Sequence, residues 1–375
     1  MINNKVNILI DCHFFDYNFV HGARIYIKGL YSQLIKIENN CFHFYFAAYN
    51  IEYLKNEFGD HKNVTYIKYR SQNRLSRLLF IIPNIIKTYK IDFLHVQYIS
   101  PFRKTCKEIV TIHDILFNDF PKLFSIKYRY LSNYLFKRSA LRADLLLTVS
   151  EYSKNSIARH YGISLAKIFI TPNAPSEFFN ESLSVKNLSE IKCKFDLNNY
   201  ILYVSRIEPR KNHLLLIQAY NELKLWEKGL KLILIGKNNH TGKDLSTYNS
   251  SMPDFVKENI IFIDQVSNEE LTAFYQNARL FIYPSVAEGF GIPPLEAAAC
   301  GIPCLCSNAT AMKDFTFFKD RLFDPANKEE LKKKILNLLA YTDIAENKRI
   351  QDFVRDNYQW KKIAYDFYLI LNKTG

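Results

Sequence analysis

The sequence lacks any run of the ~18 uninterrupted apolar residues that a membrane-spanning helix requires. It also lacks a recognisable signal peptide. The opening MINNKVNILID enters an apolar, strand-like run without a basic start, a longer apolar stretch or a small-residue cleavage site. The seven cysteines are odd in number and do not pair evenly. We therefore expect a cytoplasmic protein with reduced thiols.

A metal-binding cysteine cluster is also not indicated. Cys300, Cys304 and Cys306 lie close together in sequence, but the surrounding IPCLCS is typical of a buried strand. Cysteines in such a strand behave as small hydrophobes. We expect neither a metal nor a cofactor.

The composition excludes a disordered chain and leaves several anionic partners open. The 375 residues are 48% hydrophobic and 23% charged, which is ordinary for a folded protein and long enough for two domains. The formal net charge of +13 suits nucleic acid, an anionic membrane surface or phosphorylated substrates, or serves only solubility. Because no nucleic-acid recognition motif is present, we expect no nucleic-acid partner.

Short apolar runs alternate with helical patterns, which predicts parallel βαβ units. The polar segment 181–199 interrupts this rhythm and is interpreted as a linker. The alternation then restarts, and the tail from about 328 to 373 is helical with a break near 357–360. We predict an α/β fold of two Rossmann-like, doubly wound domains facing a cleft, since ligands of such sheets bind at the strands' carboxyl ends. The strand-like runs are 6–11, 42–48, 64–67, 93–98, 108–114, 145–150, 200–207, 230–236, 260–264, 279–285 and 302–307.

The segment SRIEPRKN, residues 205–212, follows one of these runs and leads into a helix. Arg206 and Lys211 flank a tight loop that contains Pro209. Two cations beside a helix N-terminus form an anion site, because the free N–H groups and the helix dipole add to the fixed charges. A diphosphate is a natural occupant, and the alternative is a solvated basic turn.

The segment PSVAEGFGIPPLEAAACGIP, residues 284–303, also follows a strand-like run. Glu288 precedes a Gly-Phe-Gly turn, and prolines suited to a first helical turn come next. We expect Glu296 within that first turn, where it would either bind a ligand or offset the dipole. Two carboxylates placed in this way suit the hydroxyl groups of a sugar and a ribose.

Two weaker signals lie in the N-terminal half. TIHDI, residues 111–115, places His113 and Asp114 at the end of a strand, where the histidine would bind a sugar or simply end the strand. VHGARIY, residues 20–26, offers Gly22 and Arg24 as phosphate contacts in the loop before the first helix.

Together these segments, with TVSEYSK (148–154) and TPNAP (171–175), resemble the retaining glycosyltransferases of family four, which have the GT-B architecture. The resemblance runs nearly end to end. It implies an N-terminal acceptor domain of residues 1–185 joined by a returning helix, 358–375, and a donor domain of residues 186–357. The sequence departs from the family in having a single glycine in the N-terminal loop and Ala174 where many relatives have glycine.

The resemblance also implies residue roles. Arg206 and Lys211 match the pair that holds the donor diphosphate, and Glu288 matches the acid beside the donor sugar. Phe290 and Gly291 match the loop whose amides contact that sugar, and Glu296 matches the acid on the ribose. His113, with Asp114 next to it, matches the strand-end histidine by the sugar, and Gly22 and Arg24 lie near the phosphates.

The implied activity is retaining transfer of a hexose from a nucleotide diphosphate sugar to a glycan or lipid-linked acceptor. GDP-mannose and dTDP-rhamnose are the favoured donors, in lipopolysaccharide O-antigen or capsule synthesis. A nucleotide-sugar epimerase or hydrolase and a basic nucleic-acid-binding protein are the alternatives. No lysine has the context of a cofactor-bearing residue, which argues against phosphorylase-like chemistry.

A basic, aromatic stretch in the N-terminal half suggests peripheral contact with the anionic inner face of the cell membrane; an ordinary solvated helix is the alternative. Its cations are Lys122, Lys127, Arg129, Lys137, Arg138 and Arg142.

Overall fold

The computed structural model describes residues 5–16, 22–38, 41–180, 185–195, 198–238 and 243–374 of the chain. Within these residues strands and helices alternate as the apolar pattern predicts. The strands are β1 (Val6–Asp11), β2 (Phe42–Ala48), β3 (Val64–Lys68), β4 (Phe93–Gln97), β5 (Lys107–Thr111), β6 (Leu145–Thr148), β7 (Ile168–Ile170), β8 (Tyr200–Val204), β9 (Lys231–Ile235), β10 (Ile260–Ile263), β11 (Leu280–Tyr283), β12 (Cys304–Ser307) and β13 (Leu322–Phe323).

The helices occupy the connections between strands and the C-terminal tail. They are α1 (Gly22–Leu34), α2 (Ile51–Phe58), α3 (Arg74–Ser76), α4 (Ile82–Tyr89), α5 (Leu116–Asp119), α6 (Ile126–Arg142), α7 (Glu151–Tyr161), α8 (Val185–Phe195), α9 (His213–Glu222), α10 (Lys243–Ser251), α11 (Asp254–Lys257), α12 (Asn268–Asn277), α13 (Ile292–Ala299), α14 (Lys328–Ala340), α15 (Ile344–Asn357) and α16 (Trp360–Thr374). A π-helical turn, Arg77–Ile81, joins α3 to α4. Short 3₁₀ turns include His13–Asp16 and Pro209–Lys211.

The strands form two parallel sheets, which confirms the predicted pair of Rossmann-like folds. The first is seven-stranded in the order β3-β2-β1-β4-β5-β6-β7, and the second is six-stranded in the order β10-β9-β8-β11-β12-β13. In each sheet the strand order reverses once, between β1 and β4 and between β8 and β11. Doubly wound sheets bind ligands outside the carboxyl ends of the strands at this reversal. The loops that follow β8 and β11 therefore mark the expected ligand position in the second sheet.

Contacts divide the chain into two compact units, Met1–Asn173 with Gln359–Gly375 and Ala174–Tyr358. The sequence places its domain boundaries after residues 185 and 357. The segment 181–199, interpreted as a linker, contains α8, and its residues 181–184 and 196–197 lie outside the described part of the chain. Among the described residues, no helix has the length and apolar character needed to cross a bilayer.

The N-terminal unit is completed by the last helix of the chain. The ring of Trp360 lies against Gly29 of α1 so closely that a Cβ built on this glycine would approach the ring to 2.1 Å. The ring centroid of Phe367 lies 6.4 Å from that of Tyr31 on the same helix. Trp360, Ile363, Phe367 and Leu371 are all buried. Helix α16 is thus part of the core of this unit.

The C-terminal unit has a regular apolar core. Tyr200, Ile201, Leu202 and Tyr203 of β8 are fully buried, as expected for a parallel strand covered on both faces. Cys304 and Cys306 are also fully buried in β12, which confirms the predicted strand at this position. All seven cysteines lie within the described residues, and all are free thiols.

Candidate active site

The two sequence motifs of the C-terminal unit, in residues 205–212 and 284–291, meet where the strand order of its sheet reverses. β8 and β11 are neighbours, with Leu280 paired to Ile201. SRIEPRKN follows β8, and PSVAEGFG follows β11. Because parallel neighbours end at the same edge of a sheet, their loops lie together, and the N–H of Val286 donates to the carbonyl of Arg210 at 2.8 Å.

At this edge Lys211 and Glu288 form a buried ion pair. Nζ of Lys211 lies 2.5 Å from Oε1 of Glu288, and the two residues are only 8% and 7% exposed. The hydroxyls of Tyr283 and Ser285 donate to the same oxygen at 3.0 and 2.6 Å. The main-chain N–H of Glu288 donates to Oγ1 of Thr310 at 2.9 Å. The carboxylate is therefore held in one orientation by several donors.

The charges of this pair follow from their surroundings. Burial raises the pKa of the Glu288 carboxyl, but the charges of Lys211 and Arg210 outweigh it and bring that pKa to about 2. Burial lowers the pKa of the Lys211 ammonium to about 8, against the opposing effect of Glu288. Both groups are charged at neutral pH, so this edge of the sheet holds a fixed cation at the position where such sheets bind ligands.

Arg206 lies on the same loop but in a different environment. Its side chain is 39% exposed, and Nη2 lies 3.4 Å from Oε1 of Glu208. The predicted cation pair therefore consists of one buried lysine and one half-exposed arginine.

Glu296 lies in the second turn of α13, so its predicted position in the first turn is wrong. The helix begins at Ile292, and prolines 293 and 294 occupy the first turn, as predicted. Oε2 of Glu296 accepts a hydrogen bond of 2.8 Å from the hydroxyl of Tyr275 on α12. Burial raises the pKa of this carboxyl to about 7, although the tyrosine bond opposes the shift. Glu296 thus differs sharply from Glu288 in its charge state near neutral pH.

The turn between these acids has an inward-facing aromatic residue. Phe290 is 8% exposed and packs edge-on against Phe315, with ring centroids 5.7 Å apart. Gly291 adopts a φ of 104° at the N-cap of α13, in the region that favours glycine. A Cβ at this glycine would lie 3.1 Å from Cγ of Met312.

In the N-terminal unit His113 follows β5 and is 7% exposed. Its Nε2 lies 2.6 Å from Oε1 of Gln97, whose Nε2 lies 3.3 Å from Nε2 of His95. Burial and the nearby His113 lower the pKa of His95 to about 3, which keeps that ring neutral. A neutral His95 that accepts from the Gln97 amide directs the Gln97 oxygen at His113, so Nε2 of His113 is the donor. Asp114 accepts from the N–H of Leu116 at 3.2 Å.

Gly22 is the first residue of α1, while Val20 and His21 of the same motif lie outside the described residues. The side chain of Arg24 contacts two residues of helix α2 in its own unit. Its Nη2 lies 3.1 Å from Oε1 of Glu57, and its guanidinium lies 4.4 Å from the centroid of the Tyr53 ring.

The structure thus joins Lys211 to Glu288 and places Arg206, Phe290, Gly291 and Glu296 in the same unit. His113, Asp114, Gly22 and Arg24 belong to the other unit. Sequence reasoning missed Arg210, whose Nη1 lies 3.0 Å from Oε2 of Glu288. It also missed Gln97. The sequence did carry a signal for each: Arg210 is a second cation next to Lys211, and Gln97 is a polar residue at the end of the apolar run 93–98. No group of His, Cys, Asp or Glu among the described residues is arranged to hold a metal ion.

Two family models match this chain. Residues 21–174 match Glycosyltransferase Family 4, and residues 185–355 match Glycosyl transferases group 1. The chain is 31% identical over 235 residues to the O-antigen chain mannosyltransferase B of Escherichia coli, which covers 62% of this chain and 61% of the relative. It is 27% identical over 237 residues to the serotype-specific mannosyltransferase WbdA of Escherichia coli, covering 60% of this chain and 28% of the relative. The chain therefore spans less than two thirds of these relatives.

A solved structure shares the fold over the whole length. The Anabaena protein HepE, crystallised in complex with UDP-glucose, superposes with a TM-score of 0.73 at 16% identity and covers 98% of this chain and 99% of its own. That likeness agrees with the two parallel sheets and their strand orders. With the two models matched in succession along almost the whole sequence, the chain belongs to the family-four glycosyltransferases of GT-B fold.

Proposed function

We propose that this protein is a retaining mannosyltransferase that uses GDP-mannose, with dTDP-rhamnose as the other favoured donor. The acceptor is a glycan or lipid-linked glycan of lipopolysaccharide O-antigen or capsule assembly. The observation that carries the proposal is the buried Lys211–Glu288 pair at the reversal of the second sheet. The name of the E. coli relative supports mannose, and the UDP-glucose complex of the Anabaena protein supports a nucleotide-sugar donor.

The cations of the loop after β8 stabilise the leaving group of the proposed reaction. A nucleoside diphosphate gains negative charge as the glycosidic bond breaks, and Lys211 and Arg206 are placed on one loop to neutralise it. Lys211 acts from a nearly dry environment, where a fixed charge is worth more than in water. Removing such a preorganised group typically costs about 10²–10³ in turnover.

The acids and the N-terminal histidine take the hydroxyl groups. Glu288, ionised and held by four side chains, suits hydroxyls of the donor sugar, and Glu296 suits those of the ribose. Main-chain N–H groups at Phe290 and Gly291 complete the sugar contacts. On the family resemblance, sugar contacts are assigned to His113 and Asp114, and phosphate contacts to Gly22 and Arg24. Retention follows if the acceptor attacks from the face that the diphosphate leaves, with a donor phosphate oxygen taking the acceptor proton.

The first experiment is a donor screen. Thermal unfolding is measured with GDP-mannose, dTDP-rhamnose, UDP-glucose and the free nucleotides, and transfer is then followed by mass spectrometry with O-antigen fragments. GDP-mannose should give the largest stabilisation and the only rapid transfer. NMR of the product's anomeric proton should show the donor's α-configuration. Inverted product excludes the retaining mechanism, and donor turnover that gives only free or isomerised sugar excludes transferase activity.

We also propose that α6 contacts the anionic face of a membrane. Ile126, Tyr130 and Tyr134 lie four residues apart along this helix and are 67%, 74% and 67% exposed. Lys127 and Lys137 are exposed on the same helix. An amphipathic face of this kind binds by burying apolar side chains while lysines meet lipid phosphates.

Two of the six cations predicted for that surface instead make contacts within the protein. Nη2 of Arg138 donates to the carbonyl of Pro101 at 3.1 Å, and Nη2 of Arg142 lies 3.1 Å from Oε1 of Glu108. These arginines hold a loop of their own unit. Flotation with vesicles containing phosphatidylserine should recover the wild type at low salt and not Tyr130→Glu/Tyr134→Glu. No recovery of the wild type at low salt contradicts membrane contact.

A further inference from the structure

Arg210 contacts the loop after β11 through both its main chain and its side chain. Its carbonyl accepts from the N–H of Val286 at 2.8 Å and lies 3.1 Å from Oγ of Ser285. Its Nη1 donates to the carbonyl of Ala287 at 2.9 Å and to Oε2 of Glu288 at 3.0 Å. Its Nε donates to Oε2 of Glu208 at 3.0 Å, and this second carboxylate also fixes the orientation of the guanidinium.

The donors to Glu288 are divided between its two oxygens. Oε1 accepts from Lys211, Tyr283 and Ser285, whereas the guanidinium of Arg210 is bound to Oε2. Within the proposed function, a donor diphosphate competes with Glu288 for Lys211. It does not need Arg210, which is engaged with the main chain of residue 287 and with Glu208.

We propose that Arg210 is a positioning residue that keeps Glu288 oriented and ionised when the donor diphosphate draws Lys211 away. This inference rests on the proposed function. A buried carboxylate that loses its cation is strongly disfavoured unless another charge stays close. Arginine suits the task because its guanidinium is always protonated and donates along several fixed directions at once.

The charge state of Glu288 depends on every titratable group around it. These groups come from the loop after β8, from β8 and β11 themselves, and from β12. They are Glu208, Arg210, Lys211, Tyr203, Tyr283 and Cys306. Among them Arg210 and Lys211 are the cations, so removing Arg210 raises the pKa of Glu288 most when Lys211 is already occupied by phosphate.

The test compares Arg210→Gln and Arg210→Lys with Arg279→Gln, an exposed arginine of the same unit that donates to the carbonyl of Leu339. Kcat, KM for GDP-mannose and the pH profile of kcat are measured on the full chain. Arg210→Gln should lower kcat by about 10²-fold, the usual effect of a misplaced reacting group. Its acid limb should move to higher pH. Arg210→Lys, which keeps the charge, should hold the acid limb near its wild-type position, and Arg279→Gln should behave as wild type.

A normal kcat and an unmoved acid limb in Arg210→Gln would overturn the inference. Circular dichroism checks that the variants are folded. If Arg210→Gln fails to fold, Arg210→Lys decides alone: a lowered kcat at unchanged thermal stability supports the inference, and a wild-type kcat overturns it. Binding of GDP-mannose to the wild type, measured by calorimetry, separates the two proposals. A wild type that binds and transfers mannose while the arginine variants match it leaves only the role of Arg210 refuted.

Discussion

Lys211 and Glu288 stabilise each other inside a region that excludes water, and this makes each of them costly to remove alone. Truncating one member of a buried pair leaves the other charge uncompensated, which typically costs about 3–5 kcal/mol. Arg210, 3.0 Å from Oε2 of Glu288, supplies part of the missing charge when the lysine is lost.

We predict that Lys211→Met loses most transferase activity and about 3 kcal/mol of stability, the low end of that range. Adding Glu288→Gln should restore part of the stability and none of the activity, because the uncompensated carboxylate is gone but the phosphate contact is not recovered. Urea unfolding and initial rates on the two single variants and the double variant measure both effects. A double variant less stable than Lys211→Met would show that the pair is not coupled in this way.

Glu296 makes the stability of the protein depend on pH in the opposite direction from an ordinary ion-paired carboxylate. Its pKa is about 7 in the folded protein against 4.5 for an ordinary glutamate, so the folded state retains a proton that the unfolded chain releases. Protonation therefore favours folding. This contribution is complete below about pH 4.5 and is lost as the pH rises to 7.

We predict that Glu296→Gln is stabilised relative to the wild type at pH 8 and much less so at pH 5, because the amide resembles the protonated acid. Thermal unfolding at the two pH values tests this difference. Glu269→Gln, on the exposed side of α12, is the matched control and should follow the wild type at both. An equal effect of Glu296→Gln at pH 5 and pH 8 would contradict the raised pKa.

At the scale of elements, one small residue determines how α16 packs on α1. A Cβ at Gly29 would lie 2.1–2.6 Å from three atoms of the Trp360 ring, so the ring or the helix must shift. Trp360 is 5% exposed and also meets Tyr26 edge-on, which leaves little room for such a shift.

We predict that Gly29→Ala destabilises the protein by about 1–3 kcal/mol, the usual cost of overpacking a core. Gly22→Ala is the control, since a Cβ at Gly22 has no heavy atom within 4 Å. Denaturant unfolding, followed by circular dichroism, measures both variants. Equal stability of Gly29→Ala and the wild type would mean that the α1–α16 contact yields without cost.

The element order was largely predictable, because apolar runs of four or more residues stand out between helical patterns. Ile168–Ile170 and Leu322–Phe323 were missed since runs of three and two residues have no measurable period. The predicted strand 108–114 ends at Thr111, although the N–H of Ile112 still donates to the carbonyl of Leu147 on β6 and its side chain is buried. Apolar burial and strand pairing are separate properties, and the sequence pattern reports only burial.

The members of the candidate site were predictable from motifs, but their pairing was not. Lys211 reaches Glu288 because β8 and β11 are adjacent, and this adjacency joins residues 77 positions apart. The same neighbourhood brings Arg210 to the carboxylate. Local sequence carries the residue types and their loops, whereas the strand order determines which loops meet.

At the scale of the whole molecule, the N-terminal unit depends on a distant piece of chain. Residues 359–375 belong to it although the entire second unit intervenes. Five buried apolar residues of α16 face this core, and losing them would expose their partners on α1 to water.

We predict that a chain ending at residue 358 keeps a folded second unit and loses the cooperative unfolding of the first. Limited proteolysis followed by mass spectrometry should find cleavage throughout residues 1–173 and protection of 174–358. The full-length chain, treated in parallel, should resist cleavage in both parts. Equal protection of the first unit in the shortened chain would show that α16 is dispensable.

The return of α16 also sets the order in which the molecule is built on the ribosome. Residues 174–358 emerge as a complete set and are free to fold as soon as they leave the exit tunnel. The first unit, although translated earlier, keeps the surface of α1 that contacts Trp360 uncovered until α16 has left the exit tunnel. We therefore expect newly made chains to pass through a stage in which residues 1–173, although translated first, are still incomplete.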